Sequence, residues 1–131
     1  MERTLGYRKH ALVVMTREAR LTIFDLLTEL DFAVALQAHT GGLERLLSER
    51  SLDLVVVDTT THPRSPASLI HLIRDRPHCA TVPAIAITTS CDSIHPLMEL
   101  HEVPNVHFMN IPVRPDRFLT LVENLLAPVI H

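Results

Sequence analysis

The chain is poor in glycine, in aromatic residues and in cysteine. Its three glycines in 131 residues form no G-x-G-x-x-G or G-x-x-x-x-G-K loop. A phosphate-cradling turn of those types is excluded, which argues against a nucleotide enzyme. There is no tryptophan and one tyrosine, so the core must be aliphatic. Cys79 and Cys91 stand alone without C-x-x-C spacing and read as reduced thiols. Pro77-His78-Cys79 has no second ligand pair near it in sequence, so a zinc site does not follow. No apolar stretch nears the ~20 residues of a membrane span. Residues 1–10 are polar and carry no signal-peptide core. The expected place is the cytoplasm, with no membrane partner. The formal charge of −3 leaves no basic footprint for nucleic acid, and Tyr7-Arg8-Lys9-His10 is too short to supply one.

Catalytic order is also missing. No Ser-His-Asp or Cys-His arrangement can be read along the chain, so the expectation is a protein that is not an enzyme. The nine histidines are scattered, and neither His71 and His78 nor His95 and His101 share a usable helix face. His62, beside Pro63, is the one histidine placed over the expected crevice.

What is present is alternation. Ala11–Met15 reads as a strand, and Leu21, Phe24 and Leu27 mark one face of a helix over Glu18–Leu30 that Thr16 can cap. Phe32–Leu36 is a second strand. Gly41-Gly42 breaks the chain before helical spacing at Leu43, Leu46 and Leu47. Leu52–Val57 is a greasy run suited to a strand buried on both faces, and Asp58 follows at once. A hydroxyl- and proline-bearing loop covers Thr59–Pro66. Ser65 caps the next helix with Pro66 at its first position, and Pro77 ends that helix. Val82–Thr88, Ser93–Glu102, Asn105–Met109 and Pro115–Leu126 then read as strand, helix, strand, helix. Repeated strand–helix units imply a parallel sheet with helices on both faces. The expected architecture is a single α/β domain over residues 1–131. It should be a doubly wound, five-stranded parallel sheet in the order 2-1-3-4-5, flavodoxin-like. Asp58 then lies at the carboxyl end of a central strand, where such sheets keep their crevice.

Asp58 after Leu54-Val-Val-Val57, Pro63 in the next loop, Val82-Pro-Ala-Ile-Ala-Ile-Thr88, and Phe108 three residues before Ile111-Pro112 stand in one order at one spacing. In these features the chain resembles the receiver domains of two-component response regulators, and the resemblance covers nearly its whole length. It implies that Asp58 matches the phosphoacceptor, that Thr88 matches the hydroxyl that contacts the phosphoryl group, and that Phe108 matches the switch aromatic. It also exposes three losses. The paired acids that help hold magnesium are matched by Met15 and Thr16, and the pocket lysine is matched by Ile111.

A thioether and a neutral hydroxyl are poor ligands for a hard cation. Losing the lysine removes a charge-assisted contact worth about 1.5–3 kcal/mol. Magnesium binding is therefore expected to be weak or absent, with no other cofactor. Asp58 keeps two readings, a phosphoacceptor or a remnant carboxylate bonded to loop amides or to Thr88. Phe108 reads as plain core and Ile111 as an apolar cap over the crevice.

The expected role is that of a degenerate pseudo-receiver working through protein–protein contact. Its partner would be a signalling protein such as a histidine kinase or an output domain, with a homodimer as a further form. By resemblance, the contact face joins the 93–102 helix, the fifth strand and the last helix. It would include His95, Met98, His101, His107, Met109 and Arg117. A working receiver phosphorylated on Asp58, or a small-ligand binder or enzyme on the same scaffold, are the alternatives.

Overall fold

A computed structural model describes residues 8–39, 43, 45, 47, 51–60 and 64–127. The expectations for Gly41-Gly42 and for His62 and Pro63 fall outside these residues. Five strands alternate with helices: β1 His10–Val14, α1 Ala19–Glu29, β2 Ala33–Gln37, β3 Leu54–Asp58, α2 Pro66–Arg74, β4 Ala84–Thr88, α3 Ile94–His101, β5 Val106–Asn110 and α4 Pro115–Leu126. A 3₁₀ turn at Pro77–Cys79 was not legible in the apolar spacing. Every neighbouring strand pair is parallel, and the order is β2-β1-β3-β4-β5. This is the expected doubly wound sheet.

β3 shows why these residues make a central strand. All five are buried. Val55 and Val57 point into one core layer, with Leu12, Val14, Leu69, Ile70 and Ile73. Leu54 and Val56 point into the other, with Met15, Ile23, Leu27, Phe118 and Val122. A period of two with both faces apolar needs helices on both sides, and the amphipathic α2 and α4 supply them. Leu43 and Leu47 are helical residues buried in the first layer. Ser65 caps α2 as expected, its hydroxyl accepting the Ser68 amide at 3.2 Å, with Pro66 opening the helix. At the other end of α2, Arg74 donates to the carbonyls of Val82, Pro104 and Asn105. It thereby ties the helix to the amino ends of β4 and β5.

Two local expectations are corrected. The α1 N-cap is Glu18, without a side-chain bond, because the Thr16 hydroxyl pairs instead with that of Thr60. The strands also begin and end one or two residues away from the apolar runs. The hydrogen-bonded ladder sets their limits, whereas the sequence shows only hydropathy.

Candidate functional site

The strand order reverses between β1 and β3, so the crevice of this fold lies at their carboxyl ends. Asp58 is the last residue of β3 and is fully buried. A buried carboxylate is tolerated only when its oxygens are satisfied, and here four donors do so. Oδ2 accepts the amides of Thr16 at 3.0 Å and Arg17 at 3.1 Å. Oδ1 accepts the Thr60 amide at 3.1 Å and its hydroxyl at 2.9 Å. Loop amides on both sides of the strand end therefore hold Asp58.

Thr88, also buried, is not among these donors. Its hydroxyl donates to Asn110 Oδ1 at 2.7 Å, one strand further out. Met15 is sealed in the apolar layer beneath α1 and α4. Ile111 is half-buried against that same layer, donates its amide to the Thr88 carbonyl at 2.9 Å, and joins Pro112 through a cis peptide.

Sequence reasoning missed the cation of the site. Arg17 falls on no position of the receiver pattern, so nothing in the sequence marks it. In the structure its guanidinium reaches across the strand ends, donating to the Ile87 carbonyl at 3.3 Å and the Thr59 hydroxyl at 3.3 Å. It also forms an ion pair with Asp92. Ile87 is the cross-strand partner of Asp58, so the positive charge lies over the β3–β4 ends beside the buried acid. The Asp92 side chain is 1% exposed and that of Arg17 19%. Asp92 also accepts the Thr89 amide at 2.9 Å. Burial pushes its carboxyl up, but the bonds from Thr89 and Thr59 and the charge and bond of Arg17 outweigh this and hold it below its ordinary value. The sequence signal for Asp92 was faint: an acid four residues beyond Thr88, in a turn of small polar residues.

The expected contact residues divide. His95 and Met98 are exposed along α3, with Ile94 beside them. Exposed His101 stacks on half-buried Phe108, the ring centroids 4.2 Å apart and 14° from parallel. Arg117 is exposed on α4. His107 and Met109 are half-buried on β5, Met109 against the layer that holds Ile87 and Phe118. A strand residue facing an inner layer cannot offer its full side chain to a partner, so these two contribute an edge at most. No helix among the described residues is long and apolar enough to cross a membrane.

No family model and no curated protein matches this chain. Solved structures do. The chemotaxis protein CheY4 of Vibrio cholerae superposes with a TM-score of 0.76 at 15% identity, over 92% of this chain and 100% of that one. The receiver domain of a sensor histidine kinase from Pseudomonas aeruginosa, whose cleft coordinates a magnesium ion, gives 0.76 at 18% identity over 93% and 100%. A response regulator receiver protein from Sinorhizobium medicae gives 0.74 at 18% identity over 94% and 97%. The chain has the CheY-like receiver fold.

The donors that the described residues bring to this cleft do not suit magnesium. The ion requires several hard oxygens in octahedral array. Asp58 has committed both oxygens to four donors, Thr16 and Thr60 pair their hydroxyls with one another, and Met15 is buried. Among the described residues no group of three or more His, Cys, Asp or Glu side chains is placed to hold a metal.

Proposed function

We propose that this chain is a receiver-like signalling module that works by protein–protein contact, without magnesium-dependent phosphorylation of Asp58, and not as an enzyme. The observation that carries the reading is the filled carboxylate of Asp58 with Arg17 fixed beside it. Phosphoryl transfer needs charge neutralised on the moving group's oxygens and an acceptor oxygen free to attack. Arg17 already spends its charge on Asp92, and turning the fork from that pair toward a phosphoryl group would break it. Breaking a nearly buried pair costs on the order of 3–5 kcal/mol, with the lower end apt for a partly exposed arginine. A new charge-assisted contact returns about 1.5–3 kcal/mol. The balance favours the resting pair.

The contact face we assign joins α3, β5 and α4. Ile94 is 72% and Met98 58% exposed on α3, a high degree of exposure for two large apolar side chains four residues apart. Around the edge, Phe108, Met109, Ile111 and Pro112 line a groove of about 490 Å³ with Arg114 and Arg117 at its rim. Such a surface suits a histidine kinase, an output domain or a second copy of the chain.

Incubation with acetyl phosphate and Mg²⁺, followed by intact mass, tests the reading. The expected result is an unchanged mass. A species heavier by about 80 Da, the mass of one phosphoryl group, that disappears in Asp58→Asn would overturn it in favour of a working receiver.

A further inference from the structure

Residues 89–92 close on themselves around one acid. The Thr89 amide and hydroxyl both donate to Asp92, at 2.9 and 3.3 Å, and the Cys91 amide donates to the Thr89 hydroxyl at 3.0 Å. The Asp92 amide returns to the Thr89 carbonyl at 3.3 Å. This turn leads directly into α3, whose hold on the rest of the molecule is uneven. Leu100, in its last turn, is its one buried residue, and His101 adds the stack on Phe108. The first turn has no side-chain cap from Ser93 and no acid, and its Ile94 is largely exposed. Packing fixes the far end of the helix, whereas the near end depends on the turn.

The turn in turn depends on Arg17. That side chain binds three segments at once: the end of β4 through Ile87, the loop after β3 through Thr59, and the turn before α3 through Asp92. Its own backbone amide donates to Asp58, so the residue is anchored at its root as well as at its tip. A planar fork with several donors can bridge three acceptors in this way, where an ammonium group could not hold the same geometry.

We propose that the Arg17–Asp92 pair is an internal latch, a cation built into the chain that fixes the 89–93 turn and the near end of α3 in one arrangement with no bound metal or phosphoryl group. The latch rests on the geometry of the pair and goes beyond the question of Asp58 chemistry. Release of the pair frees the turn and the first turn of α3, Ile94 included, while the sheet and the far end of α3 stay in place. Local opening of this kind is governed by how few buried contacts a segment makes, and before Leu100 no residue of α3 is more than half-buried, Pro96 and Leu97 being the apolar ones that are.

Hydrogen exchange on wild type, Arg17→Gln, Asp92→Asn and the double variant tests this, with thermal unfolding as a check on the global fold. Asp92→Asn keeps an oxygen for the Thr89 amide and leaves the other Arg17 bonds available, so the test survives if Arg17→Gln does not fold. The expected result is exchange roughly tenfold faster across residues 88–96, with β1 and β3 unchanged. The double variant should add little to either single one, because both remove the same interaction. A fluorinated label on exposed Cys91 should move from one resonance to several in the variants. Exchange that stays within about twofold of wild type, or that rises equally in β1 and β3, would overturn the latch. A phosphorylated Asp58 beside an intact, protected turn would defeat the proposed function and leave the latch standing.

Discussion

Thr88 and Asn110 face each other in the β4–β5 register, joined by a 2.7 Å bond from the threonine hydroxyl to the asparagine carbonyl oxygen. The bond runs away from Asp58, toward the edge of the sheet. Thr88 is buried and Asn110 exposed, which makes the two ends of the bond unequal. Without Asn110 the buried hydroxyl has lost its partner, at about 1–3 kcal/mol. Without Thr88 the exposed amide turns to water. Asn110→Leu should therefore lower stability by about 1–3 kcal/mol and Thr88→Val by less than about 1 kcal/mol in urea unfolding. Equal losses would show that Thr88 finds another acceptor.

Asp58→Asn should destabilise the fold. An asparagine keeps one accepting oxygen, so its amide group must confront two of the four donors that now converge on the carboxylate. Each buried donor left unmatched costs about 1–3 kcal/mol. In a cluster of several carboxylates, neutralising one would relieve repulsion and raise stability instead. The sign of the change in the urea midpoint separates the two situations, and a more stable Asp58→Asn variant would show that the four bonds contribute little.

The sheet was legible because its signal is local. A run such as Leu54 to Val57 declares a buried strand within a few residues, and five strand–helix units then allow few topologies. Strand limits slipped by a residue or two because hydropathy does not register the ladder. The site was legible only where one residue carried the signal, as Asp58 did by its place after β3. The pairings were not legible. Asp58 is held from 42 and 41 residues upstream, by Thr16 and Arg17. Arg17 meets Asp92 across 75 residues. Neither side of that pair has a periodicity or a motif to announce the other, and only the fold brings them together.

Magnesium should leave the protein's stability unchanged. A ligand at ten times its dissociation constant adds roughly 1.4 kcal/mol to the native state. In a domain of this size that amounts to a rise of several degrees in the unfolding midpoint. Thermal unfolding with magnesium chloride up to about 10 mM, against calcium-free potassium chloride of matched ionic strength, should show no such rise. A saturable rise lost in Asp58→Asn would mean that the Asp58 carboxylate exchanges its four donors for the ion.

Acid should remove the contribution of the Arg17–Asp92 pair to stability. Asp92 is held below its ordinary value of 3.8, with burial opposed by the bonds from Thr89, Thr59 and Arg17 and by the Arg17 charge. The unfolded chain therefore takes up this proton first as the pH falls, and the native state loses stability relative to it. The contribution of Asp92 is complete above about pH 5, declines through the ordinary value, and is gone below the native one. Wild type should exceed Asp92→Asn by about 1–3 kcal/mol at neutral pH, a range discounted for the partial exposure of Arg17. The gap should narrow as the pH falls through the ordinary carboxylate value and close below the native one. Urea midpoints of the two proteins across that range measure it directly. A gap that holds constant into acid would mean that the carboxylate's charge is not what binds the turn to Arg17, leaving only the neutral bonds around Thr89 to hold residues 89–92.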